Sequence, residues 1–195
     1  IHLLMKYANL EDILEKYAKY VIQQARTNLT KEDKGGGSLY NSLGFDIDVE
    51  VDAFLLQFQM DDYGVFVDKG VRGKDPTKLS PNARLTGQQA PNSPFRFGSG
   101  NYAGTWKTFL AKIESWAKDK NVRFREQKGS SKGGQFKAGN YKSIAYVIAN
   151  NIYNRGLKTT NFFTTPFERA QQRLGDDLLD AFILDVEKQI IYGEN

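Results

Sequence analysis

Two groups of charged residues carry most of the chemistry open to this chain. Asp46, Asp48, Glu50 and Asp52 alternate with Phe45, Ile47, Val49 and Val51, giving a comb of carboxylates at period two. Such a comb can hold a divalent cation or present an acidic stripe to a basic partner, but its ordinary role is the solvent face of a strand. The second group is cationic. Arg72, Lys74, Lys78, Arg84 and Arg96, with Phe95 and Phe97 among them, are followed by Arg123, Arg125, Lys128 and Lys132. Cations interleaved with aromatic rings suit a nucleic-acid backbone with bases stacked on Phe95, Phe97, Phe124 and Phe136, or else an acidic protein surface.

Other chemistries are excluded by composition. The chain has no Cys and a single His, His2, which removes disulfides, thiolate nucleophiles, cysteine or multi-histidine metal sites and a Ser–His–Asp triad. An enzyme here would have to work with carboxylates, Lys, Tyr or Ser. A carboxylate nuclease on Asp46, Asp48, Asp61 or Asp62 with Lys69 has no spacing that matches a catalytic motif, and Asp61-Asp62 reads as a helix start. Gly129 and Gly134 have the separation found in a P-loop, but Gln135-Phe136 stands where Lys-Ser/Thr is required. The expectation is therefore a non-enzyme with no cofactor and no metal.

Net charge sharpens this. The formal +4 of the 195 residues conceals three blocks. Residues 1–68 hold 6 Lys and Arg against 12 Asp and Glu, residues 69–137 hold 15 against 4, and residues 138–195 hold 6 against 7. Asymmetry of this size points to a partner of opposite charge.

The elements that position these residues follow from periodicity. From Asn9, the expected N-cap, Leu10, Ile13, Leu14, Tyr17, Ala18, Val21, Ala25 and Leu29 recur at helical steps until Gly35-Gly36-Gly37 stops the run. The alternation over 45–51 changes phase after Asp52, where Phe54, Leu56, Phe58 and Met60 take over. A tight turn near Asp52-Ala53 in an antiparallel hairpin, near 44–60, explains the slip. A two-turn helix containing Tyr63, Phe66 and Val67 ends at Gly70, with Asp68 and Lys69 expected as a surface pair. Residues 71–104 and 126–138 have no periodicity and read as long basic loop insertions, mobile in the free subunit.

Thr105 caps a helix through Trp106, Phe109, Leu110, Ile113, Trp116 and Ala117, whose tryptophans are expected in the core. Val122–Phe124 reads as extended. Tyr141 to Ile152 forms a third long helix ending at Gly156. A last one begins at Thr165-Pro166-Phe167-Glu168, a capping box, and buries Phe167, Ala170, Leu174, Leu178, Phe182, Val186 and Ile190. The fold class is α+β, a small antiparallel sheet packed against several long amphipathic helices, in one domain of residues 1–195. No stretch approaches the roughly 18 apolar residues that span a bilayer, and Ile1-His2-Leu3-Leu4-Met5 is too short for a signal peptide, so no membrane partner is expected. The absence of Met at position 1 points to a trimmed or processed start.

Three segments carry a resemblance. Gly37-Ser38-Leu39-Tyr40-Asn41-Ser42-Leu43 is similar to a Gly-x-Leu-x-x-Ser-Ile/Leu approach to a first strand. Tyr63-Gly64-Val65-Phe66-Val67-Asp68-Lys69-Gly70 resembles a Tyr-Ala-x-x-x-Glu-x-Gly element, with Gly64 for Ala and Asp68 for Glu. Ile148 to Ala170, through Gly156-Leu157 and Phe162-Phe163-Thr164-Thr165-Pro166-Phe167, resembles a closing Ile-x-x-x-Gly…Phe-Phe-x-x-Pro/Ala run. In this order they resemble the family of tailed-bacteriophage neck and tail-completion proteins, most of all the versions in crAss-like phages. The likeness covers roughly residues 9–70 and 105–190, and the loop from Gly73 to Gly104 departs from it.

The resemblance implies a structural connector at the head–tail junction of the virion, present in the host cytoplasm during assembly. Its partners would be further copies in a homo-oligomeric ring, the phage portal and neighbouring neck or tail proteins, with transient contact to phage DNA in the channel. On that reading the acidic comb and the cationic residues named above are subunit interfaces, pairing heterologously around the ring.

Overall fold

The computed structural model describes residues 7–50, 53–78, 88–100, 104–123 and 140–192. Asp52, Arg84, Arg125, Lys128 and Lys132, together with Phe124, Phe136 and the Gly129–Gly134 segment, lie outside the described residues. The elements in chain order are α1 (Ala8–Lys31), α2 (Ser38–Ser42), β1 (Gly44–Val49), β2 (Phe54–Gln59), α3 (Gly64–Lys69), β3 (Val71–Arg72), a 3-10 turn (Pro76–Lys78), α4 (Trp106–Asp119), α5 (Tyr141–Arg155), β4 (Gly156–Leu157) and α6 (Thr164–Tyr192). The class is α+β, as the patterning predicts, with two antiparallel two-stranded sheets packed against helices. The chain divides into two compact units, one of residues 1–68 with 160–195, the other of residues 69–159.

In the first unit α1 lies along α6 and against the β1–β2 hairpin. The helical stripe read from sequence is the buried one: Leu14, Tyr17, Ala18, Val21, Ala25 and Leu29, joined by Ile22. Ile22, Ala25 and Leu29 meet Leu39, Leu43 and Phe162 in a closed cluster. Phe162 and Leu29 are fully buried, and each such side chain is worth roughly 1.5–3 kcal/mol. The hairpin pairs Phe45 with Phe58 and Ile47 with Leu56. Phe58 makes edge contacts with Tyr17, Phe163 and Phe167 at ring centroid distances of 6.2, 5.3 and 5.9 Å. Period-two alternation thus becomes a sheet with one aromatic face on the core and one charged face outside.

Two buried carboxylates fix the helix ends, and both overturn sequence expectations. Asp68 is not a surface residue: it is 4% exposed and accepts hydrogen bonds from Phe163 N (2.9 Å), Thr164 N (3.1 Å) and Thr164 Oγ1. It therefore caps α6, which begins at Thr164, so Thr165 lies within the helix instead of capping it. Asp185, on α6 itself, is 3% exposed and accepts from Asn9 N (3.0 Å), Asn9 Nδ2 (2.6 Å) and Leu10 N (3.0 Å). Asn9 is inside α1 and is capped by Asp185, where sequence made it the cap. A carboxylate serves better than an amide at these sites because the free N–H groups and the helix dipole both favour negative charge. The burial of α6 also differs from its expected stripe: Ala181 and Asp185 are buried, whereas Phe182 and Ile190 are exposed.

The second unit is built on α4 packed against α5. Thr105 caps α4 as predicted, in a reciprocal pair with Thr108: Thr105 Oγ1 accepts from Thr108 N at 3.2 Å and Thr108 Oγ1 from Thr105 N at 3.0 Å. Its tryptophans are not core residues. Trp116 is 46% exposed, and Trp106 lies at the margin of an aromatic group with Phe109, Tyr146 and Tyr153. The buried contact of α4 is Ala117 instead, because a small residue lets the two helix backbones approach. α5 starts with Asn140 accepting from Lys142 N (3.0 Å) and ends at Gly156, as its pattern indicated. Val122 and Arg123 carry no strand.

Part of the segment read as a loop forms a short paired ribbon. β3 pairs with β4, Val71 with Leu157 and Arg72 with Gly156. On the other side Arg72 N donates to Phe95 O and Phe97 N to Arg72 O, both at 2.9 Å, so residues 95–97 run parallel to β3. Gly156 permits this ribbon: it has φ +96°, and a Cβ there would lie 2.1 Å from the Val71 carbonyl oxygen.

Candidate functional site

The acidic comb lies on the outer face of the hairpin. Asp46 and Asp48 are exposed on β1 and Glu50 is exposed just beyond it. Across the ladder stand Gln57 and Leu55, also exposed, and Gln59 Nε2 donates to Asp46. This is the solvent face of a two-stranded sheet, and among the described residues no three Asp, Glu or His side chains are placed to hold a metal ion.

The cationic residues are brought together in part. Arg72 sits in β3, and the parallel bridge to Arg96 sets two arginines side by side. Arg96 Nη2 donates to Lys74 O (3.1 Å), and Lys74 N to Tyr153 O (2.9 Å). The Lys74 ammonium lies 5.6 Å from the centre of the Tyr153 ring. Like charges abreast on neighbouring strands repel. Asp75 is a carboxylate beside Lys78 and Arg96. Hydrogen bonds from Thr77, then the charges of Lys78 and Arg96, hold its carboxyl below the usual carboxylate range.

The aromatic members of the group are engaged in packing. Phe97 contacts Tyr153 at 5.7 Å and Phe109 at 6.1 Å, so it is not free to stack a base, and Phe95 is half-buried with its carbonyl bonded to Arg72. Arg123 stands apart at the end of α4, where Asn121 Oδ1 accepts from its Nε (3.0 Å) and from the Tyr141 hydroxyl (3.1 Å).

Sequence reasoning missed Arg155. It ends α5 immediately before Gly156, the partner of Arg72, and its buried Nε–H donates to nothing among the described residues, as does that of Arg72. Two orphan guanidinium donors in one ribbon are a signal no spacing rule contains, because the ribbon forms only when α5 returns to β3.

Charge follows the two units more sharply than it follows the sequence blocks. The unit of residues 69–159 holds 18 Lys and Arg against 4 Asp and Glu, and the other unit holds 9 against 19, so +14 stands against −10. In the acidic unit a groove of 620 Å³ beside α1 includes Lys19, Arg26, Tyr40 and Phe45. Its guanidinium is tied to carbonyls, with Arg26 Nε donating to Tyr40 O (3.2 Å) and Nη2 to Leu43 O (3.0 Å). Arg26 thus holds the α2–β1 connection in place. Among the described residues no helix is long and apolar enough to cross a membrane. No family model, curated protein or solved structure matches this chain.

Proposed function

We propose that this chain is a structural virion protein, a subunit of an oligomeric ring at the head–tail junction of a tailed bacteriophage, working by binding other proteins and not by catalysis. The observation that carries the reading is the zoning of charge: one unit at −10 and the other at +14 within the same polypeptide. A chain bearing both halves of a complementary pair can bind its own kind head to tail, and a heterologous contact of that type closes into a ring when the rotation permits. The three segments that resemble neck and tail-completion proteins agree with this. Its partners are further copies, portal and the adjoining neck or tail proteins. The test is electron microscopy and native mass spectrometry of the chain with and without purified portal. A defined ring, or a ring recruited onto portal, is expected; a monomer with no affinity for portal would refute the proposal.

A second reading, nucleic-acid binding by the basic unit, is favoured by the paired Arg72 and Arg96 and by the orphan donors of Arg72 and Arg155. Phosphate contacts would make affinity fall steeply with salt. A salt titration of duplex and single-stranded DNA binding checks it, and no measurable affinity at low salt would eliminate it.

A further inference from the structure

The outward face of α6 is apolar where a helix in a finished fold should be polar. Leu179, Ile183, Leu184, Ile190 and Ile191 are between 45 and 78% exposed. At 100° per residue Leu179, Ile183 and Ile190 fall within an arc of about 40°, and Leu184 and Ile191 form a second arc roughly 100° further round. Asp176, Asp180 and Glu187, all exposed, lie between the two, while Ala181 and Asp185 point the other way into the fold. The face therefore reads apolar, acidic, apolar across its width. Those five side chains expose on the order of 500 Å² in two strips, a large part of the ~800 Å² one partner gives to a standard interface.

We infer that this face of α6 docks on the basic unit of a second copy of the same chain, an inference that rests on the ring reading and assigns it a surface. The occupant is argued from charge. The three acidic side chains have no ion-pair partner among the described residues, and the chain's own cationic excess, 18 against 4, is confined to residues 69–159. Within that unit the end of α4 offers matching chemistry: Lys112 and, at the C-cap, Lys120 are exposed, and Trp116, one turn from each and between them, is an exposed aromatic side chain suited to an apolar arc. The contact uses different surfaces on the two copies and so propagates from subunit to subunit.

The experiment uses the full chain and two sets of exposed-residue variants, D176K/D180K/E187K on α6 and K112E/K120E at the end of α4, followed by sedimentation velocity and native mass spectrometry over a range of concentrations. The wild type is expected to self-associate. Each variant alone is expected to associate at least tenfold more weakly, and an equimolar mixture to recover assembly, because the reversed α6 then faces the reversed α4 and the two unaltered surfaces also meet. Leu179→Ser with Ile183→Ser, which leaves the charges alone, is expected to weaken association without recovery in the mixture, with unchanged circular dichroism. Variants that associate like wild type, or a mixture that does not recover, overturn the inference while a ring seen by microscopy leaves the ring reading standing. A wild type that stays monomeric, with α6 protected from hydrogen exchange only by added portal, overturns it in favour of a portal contact. A monomer indifferent to portal overturns both.

Discussion

Replacing Asp68 with Ala removes the acceptor for three donors at the start of a 29-residue helix. A well-placed N-cap contributes up to about 2 kcal/mol. Stranding the Phe163 and Thr164 N–H groups at a site where Asp68 is 4% exposed adds about 1 kcal/mol, because water cannot replace the lost acceptor freely. The expected loss is about 3 kcal/mol, which for a chain of this length lowers Tm by roughly 6–12 °C. Asp68→Asn keeps one oxygen as an acceptor and loses the charge assistance, so it should cost about 1 kcal/mol, or roughly 2–4 °C. Thermal melts followed at 222 nm compare both variants with Asp62→Ala, an exposed carboxylate nearby that should have almost no effect. If Asp68→Ala melts within about 1 °C of wild type, the cap is not what anchors α6 and the reasoning fails.

Asp185→Ala should cost about 2 kcal/mol by the same logic at the start of α1, with exchange protection lost first at Asn9 and Leu10. Gly156→Ala places a Cβ against the Val71 carbonyl oxygen at a φ of +96°, and should cost at least about 2 kcal/mol and release the amides of Arg72, Lys74 and Gln89 to exchange. Burial raises the Tyr17 phenol above its ordinary pKa. Its neutral form therefore stabilises the fold fully below about pH 10, and that contribution is lost as pH rises through the folded value. Tyr17→Phe should lose less stability than wild type between pH 9.5 and 11 in urea titrations, and parallel curves would contradict the assignment. Raising NaCl from 0.05 to 0.5 M should raise Tm by screening repulsion within each unit while weakening association between copies, and association that strengthens with salt would point to an apolar contact without the charge pairing.

Legibility in the sequence followed the range of the interactions. α1, the hairpin with its phase change and the Thr105 cap each rest on residues within a few positions of one another, so periodicity and turn chemistry sufficed. Asp68 reads as a surface carboxylate and Asp185 carries no local signal at all, because their partners lie 95 and 176 residues away. The β3–β4 ribbon is two residues per strand, too short for any alternation to register. The tryptophans misled for a related reason: helical spacing shows that Trp106 and Trp116 recur on a helix, but which residue meets the neighbouring helix is decided by how closely the backbones approach, and Ala117 wins. Of the candidate site, sequence found the opposed charges but set their boundary at residue 137. Folding moves it to 159, adding Lys142, Arg155 and Lys158 to the basic unit and the α6 carboxylates to the acidic one.

That boundary shift alters what the net charge means. Of the 19 carboxylates in the acidic unit, Asp68 and Asp185 answer helix N–H groups, while Asp12 and Glu15 pair with Lys16 and Lys19 along α1. Asp48, Glu50, Asp176, Asp180 and Glu187 face solvent without a cation among the described residues. In the basic unit Lys118 takes Glu114, leaving few acids for the other cations. Each unit therefore repels itself, a destabilising arrangement unless the opposite surface is supplied from outside. On the ring reading a second copy would supply it in matching amount, incomplete in one direction only: pairing −10 with +14 leaves +4 on every subunit. In a ring built by that contact the surplus is cationic and modest.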